Sequence, residues 1–442
     1  MSRFGVRASV AAVLVAASVC LSACETSGHQ LDSTACTRPA TSKTKLSSDL
    51  TAGPAERPAW SGTVGSVEAS GGDRLFSRSG GCLNEVSATT GAPGWTWKAG
   101  ALVMGAVASS DVVIAATGHD HGQAPAAVVP VTEQVVGLDA HTGDRLWSMK
   151  VGNDGQRVPA MIAGGTAIVA KADGTVVGLD ASRGDRKWET IPPSGCAESQ
   201  ELSDIHPSAQ LLADAPAPLV LYPCGSAPRV VLLDPATGKV RWTWQVPAGR
   251  SVEYQSAAAG TTAVFGLVVS DGASAYSLFA LSGATGRPMW HADGLTDDVG
   301  VFAGAGDLCG VSSSRVACYD ETSGKPTWTR TPPAVPDRDT LGPIGAVAEN
   351  GRLHLVEPTA AAAKIPPAST SYRAKPGAFR LLTLDLASGR VIAAQALPAF
   401  YRGPDGVVTS VDVPPAVVAV AAGHSVVSPE FHETSTVEAF AN

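Results

Sequence analysis

The sequence predicts an all-β fold, an eight-bladed β-propeller with seven blades as the alternative, and three observations support it. A nine-residue motif of the form Asp-x-x-Thr-Gly-x-x-x-Trp recurs seven times in the 442 residues. The copies are separated by about 50 residues, a period typical of propellers and solenoids. Short runs of β-branched and apolar residues precede the copies, and helical patterns are few.

Each copy of the motif has the chemistry of a turn between two strands. The carboxylate accepts backbone N–H groups, the glycine supplies a positive φ, and the tryptophan emerges on the following strand. An indole there can bury apolar area between neighbouring sheets while its N–H finds a carbonyl. The copies begin at Ser87, Asp139, Asp180, Asp234, Ser282, Asp320 and Asp385. Their glycines are Gly91, Gly143, Gly184, Gly238, Gly286, Gly324 and Gly389, and their tryptophans are Trp95, Trp147, Trp188, Trp242, Trp290 and Trp328, with Ala393 in the last copy.

These motifs resemble the tryptophan-docking repeats of PQQ-like, quinoprotein-type β-propellers, and the likeness spans nearly the whole mature chain. Trp60, near the N-terminus, matches the tryptophan of an outer strand but has no motif turn before it. Residues from Ala416 onwards match the inner strands of a repeat but are not followed by the motif. The two fragments complement each other. We expect them to form one blade that closes the ring and removes the free edges at both ends.

The N-terminus resembles a bacterial lipoprotein signal. Arg3 and Arg7 precede a short apolar stretch, and Leu21-Ser22-Ala23 leads into Cys24. The resemblance implies a signal peptide over residues 1–23, a lipid such as palmitate on Cys24, and a location on the extracytoplasmic face of the cell membrane. An ordinary secretory peptide is the alternative. Residues 24–58, rich in Ser, Thr, Ala and Pro, are predicted to be a flexible tether, and the propeller is predicted over 59–442.

Cys20 lies in the predicted signal peptide, and six cysteines follow Cys24, an even number that indicates disulfides in an exported chain. A tight turn over Ser312–Arg315 would place Cys309 directly opposite Cys318 on two paired strands. Two further pairs are expected, Cys196 with Cys224 and Cys36 with Cys82. A zinc site is the alternative, although no C-x-x-C spacing supports it.

Composition and single residues argue against several functions. The formal charge is −8 and no basic stripe is present, so we expect no nucleic-acid partner. The motif aspartates Asp139, Asp180, Asp234, Asp320 and Asp385 would lie on separate blades and could not converge on one ion. His119 and His121 could bind a transition metal, but a third ligand is not identifiable and a solvated loop is favoured. We expect no metal and no cofactor.

Function is predicted from the scaffold and its insertions. Insertions at 119–133, 191–216, 357–377 and 397–406 mark one or both rims, and such loops usually carry recognition. The quinoprotein resemblance implies a dehydrogenase. The vicinal cysteine pair on which such enzymes stack the quinone is missing from this sequence, and so is a C-x-x-C-H haem site. By architecture the chain resembles the BamB-type lipoproteins of outer-membrane assembly, although the six cysteines are not part of that pattern. We therefore predict a lipid-anchored, non-catalytic scaffold that binds another envelope protein, with a ligand-binding or sensory propeller as the alternative.

Overall fold

A computed structural model of the chain describes residues 39–42, 59–64, 66–121, 129–154, 158–196, 209–212, 218–224, 227–259, 264–270, 276–295, 300–312, 315–333, 344–359, 377, 379–397, 416–421, 424–428 and 436–441. The predicted signal peptide, Cys24 and Cys36 lie outside these residues and stay predictions. Among the described residues, no helix is long and apolar enough to cross a membrane.

The strands of the described residues form eight sheets, and the predicted all-β propeller is confirmed. Seven blades each have four strands from one contiguous stretch of chain. Blades 1 to 3 contain β3 (Ser66–Gly71), β4 (Arg74–Ser79), β5 (Cys82–Ser87), β6 (Pro93–Lys98); β7 (Leu102–Ala108), β8 (Val112–His121), β9 (Val129–Asp139), β10 (Arg145–Asp154); and β11 (Ala160–Ala163), β12 (Thr166–Ala170), β13 (Val176–Asp180), β14 (Arg186–Thr190).

Blades 4 to 7 continue the same order. They contain β15 (Gln210–Leu211), β16 (Leu219–Tyr222), β17 (Arg229–Leu233), β18 (Val240–Gln245); β19 (Ser251–Ala259), β20 (Val264–Ser270), β21 (Tyr276–Ser282), β22 (Pro288–Leu295); β23 (Gly300–Gly304), β24 (Asp307–Val311), β25 (Val316–Asp320), β26 (Pro326–Arg330); and β27 (Ile344–Glu349), β28 (Arg352–Pro358), β29 (Phe379–Asp385), β30 (Val391–Ala396). The first strand of each blade is the innermost and the fourth is the outermost, because the first strands are those that meet between neighbouring blades.

The remaining sheet, which we call the closing sheet, is an eighth sheet assembled from both ends of the chain. Its order is β1 (Ala40–Ser42), β2 (Trp60–Thr63), β33 (Thr436–Ala441), β32 (His424–Ser428) and β31 (Ala416–Ala421). The predicted pairing of the Trp60 strand with the C-terminal strands is present, with Trp60 opposite Ala439. The inner strand β31 contacts β27 of blade 7 and β3 of blade 1, so the ring is closed there.

The sheet reaches further towards the N-terminus than the sequence predicted. Residues 40–42 fall within the predicted tether, yet Ala40 pairs with Thr63 and Ser42 with Ser61. The short segment Ala-Thr-Ser carries no strand pattern of its own, so its pairing comes from the open edge of β2 and not from local propensity.

Six indoles join successive blades as predicted. The Nε1–H of Trp188, for example, donates to the carbonyl of Pro235 at 2.9 Å, and its ring lies on Gly238 of the next blade. A Cβ added to Gly238 would lie 2.6 Å from Trp188 Cδ2, so only glycine fits beneath the ring. The other five donors are Trp95, Trp147, Trp242, Trp290 and Trp328, which reach the carbonyls of Ala140, Ala181, Gly283, Glu321 and Leu386 at 2.7–3.1 Å.

This docking explains why the last copy of the motif has Ala393 in place of tryptophan. Each indole needs the carbonyl and the glycine of the turn in the following blade. Blade 7 is followed by the closing sheet, whose sequence has no Asp-x-x-Thr-Gly turn. Trp60 is the corresponding donor for the turn of blade 1, but its side chain lies outside the described part of the structure, so that contact stays a prediction.

The hydrophobic core is divided into clusters that lie between successive sheets. Leu232 and Trp242 of blade 4 pack with Leu267 and Phe279 of blade 5, and all four are buried. Blades 2 and 3 share a second cluster and blades 6 and 7 share another. Burial between sheets, and not within one sheet, makes each blade depend on its neighbours.

Candidate functional site: the long-loop rim

Strand direction gives the ring two different rims. Because the strands of a blade are antiparallel, the first-to-second and third-to-fourth connections lie on one rim, which we call the turn rim. The second-to-third connections and the links between blades lie on the opposite rim, which we call the long-loop rim. The sequence left open whether the insertions occupy one rim or both. The strands that border them place 119–133, 357–377 and 397–406 on the long-loop rim, together with 191–209 of the insertion 191–216. The rest of that insertion forms β15 and the start of its connection to β16, which lies on the turn rim.

The turn rim is built from the repeated motif and is structural. Asp139 Oδ1 accepts the backbone N–H groups of His141 at 2.8 Å and Thr142 at 2.9 Å, and Gly143 follows with φ of 74°. These N–H groups lower the pKa of Asp139, since they stabilise its charged form. At Asp180 the hydroxyl of Ser182 is the largest cause that lowers the pKa, to about 2. The five motif carboxylates are therefore occupied with the turns of blades 2, 3, 4, 6 and 7, and blades 1 and 5 have serine at this position.

Blade 2 extends beyond its neighbours at the long-loop rim. Strands β8, β9 and β10 have 10, 11 and 10 residues, compared with 4 to 5 in blade 3. His119 and His121, expected in a loop, lie instead at the end of β8, opposite Val131 and Val129 of β9. The sequence predicted a loop here because glycine and proline residues lie close to the two histidines. His119 Nδ1 lies 3.1 Å from Glu133 Oε1, and no group of three metal-ligating side chains occurs among the described residues.

A disulfide supports the next part of this rim. Cys196, after the end of β14, is bonded to Cys224, after the end of β16, as the sequence predicted. Between β14 and Cys196 the chain turns through Pro193, whose carbonyl accepts the N–H of Cys196 at 3.1 Å. Ile191 stands at the start of this turn and is 74% exposed, the highest value among the large hydrophobic residues of the described chain that are exposed. A covalently supported turn therefore holds an isoleucine out in solvent.

Charged side chains cross the seam between blades 6 and 7 at the same rim. Glu357 of β28 is 1% exposed and pairs with Arg330 of β26, whose Nη2 lies 2.7 Å from Oε1. Arg380 of β29 pairs with the same carboxylate. Two guanidinium groups on one buried carboxylate satisfy its oxygens and leave a net positive charge at the surface. Sequence reasoning missed this cluster, because its three members are distant in the chain and none belongs to the repeat.

The other predicted disulfides are located as follows. Cys309 and Cys318 are bonded across β24 and β25, in the register expected from Val311 opposite Val316. Cys82 is disulfide-bonded, and its predicted partner Cys36 lies outside the described residues. Neither of these sites contributes to the long-loop rim insertions.

The wheel of four-stranded blades joined by indole-to-carbonyl docks defines a PQQ-like β-propeller. Within that class, the family model described as outer membrane protein assembly factor BamB matches residues 25–208 and 123–330, and the chain belongs to this family. A comparison with curated proteins finds no match.

Solved structures share the fold at low sequence identity. BamB from Moraxella catarrhalis is 16% identical, with a TM-score of 0.50 over 85% of this chain and 99% of that one. The computationally designed Ika8 protein is 12% identical, with a TM-score of 0.53 over 85% and 96%. The quinohemoprotein alcohol dehydrogenase from Comamonas testosteroni is 11% identical, with a TM-score of 0.39 over 67% and 71%, a superposition too loose to bear on activity.

Proposed function

We propose that this chain is a lipid-anchored, extracytoplasmic, non-catalytic scaffold that binds another envelope protein through its long-loop rim. The observation that carries the proposal is the concentration of three insertions and most of the fourth on one rim, while the opposite rim holds the turns of the repeated motif. The family description, an assembly factor, supports a role in bringing proteins together.

The path of the tether supports the same rim. Strand β1 runs antiparallel to β2, with Ala40 opposite Thr63, so the chain enters the closing sheet from the long-loop side. A lipid on Cys24 would then be joined to this rim by the residues up to Pro39. As a flexible chain, such a tether spans roughly 20 Å on average. The anchor would therefore keep the long-loop rim, and not the turn rim, near the membrane.

Ile191 is the side chain most suited to anchor a partner. It has the highest exposed fraction among the exposed large hydrophobic residues of the described chain, and the nearby Cys196–Cys224 bond limits the entropy lost when the turn is bound. An apolar residue in a pre-formed turn is the kind of group that fills a pocket at the centre of an interface.

A membrane pull-down with two matched variants tests the proposal. The lipidated protein should recover a stoichiometric partner, and Ile191→Asp should lose it by at least about tenfold in yield, the effect of about 1.4 kcal/mol. Val240→Asp is the control, because Val240 is also exposed, at 51%, but lies beside the turn rim. Equal recovery by both variants, or loss with Val240→Asp alone, would refute the assignment of the rim.

A further inference from the structure

The seam between blade 7 and the closing sheet lacks the indole that joins the other blades. Each of the six seams from blade 1 to blade 7 has a tryptophan whose Nε1–H donates to a carbonyl of the next blade. In blade 6 this residue is Trp328, opposite Cys318, whereas blade 7 has Ala393 opposite Thr383. The ring is therefore closed here without the large apolar contact that an outer-strand indole provides.

A buried polar contact crosses the same seam. His354 of β28 lies opposite Thr383, and its Nδ1 is 3.0 Å from Oγ of Ser425 in β32 of the closing sheet. Both His354 and Ser425 are buried. Blade 7 therefore presents a polar side chain to the next sheet where blades 2 to 6 present an apolar one or none. The second-strand residues in the same register in those blades are Ile114, Ile168, Leu219, Gly266 and the disulfide-bonded Cys309.

The other seam of the closing sheet, which it shares with blade 1, also contains buried polar groups. Phe76 packs in one cluster with Val113 and Val136 of blade 2, so the next residue along β4, Ser77, points towards the closing sheet. Ser77 stands opposite Asn84, and both side chains are fully buried. Within the described part of the chain, Ser77 Oγ and Asn84 Nδ2 have no hydrogen-bond partner. Buried polar atoms without partners destabilise the packing that buries them.

We propose that the closing sheet is a reversible latch, whose strands leave the ring together while blades 1 to 7 stay folded. Both seams of this sheet contain buried polar groups, and the seam with blade 7 has no indole. Proteins open locally in cooperative units, and the units with the weakest packing open at the lowest free energy. Because the sheet is made from the two ends of the chain, its release interrupts no connection between blades. The open form is an arc of seven blades in which the end faces of blades 1 and 7 are accessible.

Hydrogen exchange measured by mass spectrometry tests the latch on the mature chain, residues 24–442 with Cys24→Ser and the disulfides intact. Amides of β2, β32 and β33 should share one opening and exchange at least about tenfold faster than those of β12 and β20. Ser425→Ala removes the contact with His354 and should accelerate this exchange about fivefold, the effect of one lost hydrogen bond. The factor should be the same in β2 as in β32, although β33 lies between these two strands.

Thr117→Val is the control, because Thr117 is also a buried hydroxyl residue but lies in β8 of blade 2, away from the closing sheet. It should leave exchange in the closing sheet unchanged. Amides of β2, β32 and β33 that are as protected as those of β12 and β20 would overturn the proposal. Different factors for β2 and β32 in Ser425→Ala would indicate fraying strand by strand and would overturn it too, as would equal acceleration by Thr117→Val. None of these outcomes depends on the membrane pull-down with Ile191→Asp.

Discussion

Replacing Gly238 by alanine should destabilise the protein far more than the same change at Gly249, and the difference measures the indole dock. Both glycines have positive φ, 68° and 76°, so both variants incur the left-handed strain of alanine, about 1–2 kcal/mol. No atom lies within 4 Å of a Cβ added at Gly249. At Gly238 that Cβ would lie 2.6 Å from Trp188 Cδ2 and would displace the ring.

The additional cost at Gly238 has two parts. Overpacking against the ring costs about 1–3 kcal/mol. Loss of the Trp188 hydrogen bond to the Pro235 carbonyl adds about 1 kcal/mol. Gly238→Ala should therefore lose about 2–4 kcal/mol more than Gly249→Ala. Urea midpoints measured together with tryptophan fluorescence check this, since a displaced indole also changes its emission. Equal midpoints for the two variants would refute the view that the motif glycine is required by the ring of the preceding blade.

Three other predictions concern buried charges. Burial raises the pKa of Asp307 to about 6, so the free energy of unfolding should fall as pH rises from about 4 to 6. Asp307→Asn should therefore stabilise the protein by about 2–3 kcal/mol in thermal unfolding at pH 7.5. No gain at that pH would contradict the burial of a charge there. Burial lowers the pKa of His354 to about 4, so the free energy of unfolding should fall by up to about 3 kcal/mol as pH drops from about 6.5 to 4. In urea titrations at a series of pH values, His354→Asn should reduce this dependence of stability on pH. Glu357→Gln should cost about 1.5–3 kcal/mol, because the partly exposed charges of Arg330 and Arg380 lose the carboxylate to which they are hydrogen-bonded. Calorimetry with Glu349→Gln, an exposed control, should separate this from a general effect.

The repeat could be predicted from the sequence because its chemistry is local. The aspartate, glycine and tryptophan of the motif form one turn and the start of one strand within nine residues. In the same way, a turn that pairs Val311 with Val316 places Cys309 opposite Cys318, two residues further along each strand. The propeller and its composite closing sheet follow from that regularity.

The remaining features depend on partners that are distant in the chain. Strand β1 pairs only because β2 has an open edge, and Glu357 is buried only because two arginines from other strands reach it. The burial of Asp307 is likewise invisible in the sequence, since a charged residue at the start of a strand reads as exposed. Assigning the insertions to one rim also required the directions of the strands, which the spacing of the motifs does not give.

The sheet that contains both ends of the chain has a consequence for the order of folding. During synthesis Trp60 is made long before its neighbour Ala439. Contacts between such distant positions form slowly, because most of the chain must be looped out first. Seven blades can assemble while the chain grows, but the circle stays open until the final strand arrives. A premature stop near the C-terminus would therefore leave the N-terminal strand without a place to bind.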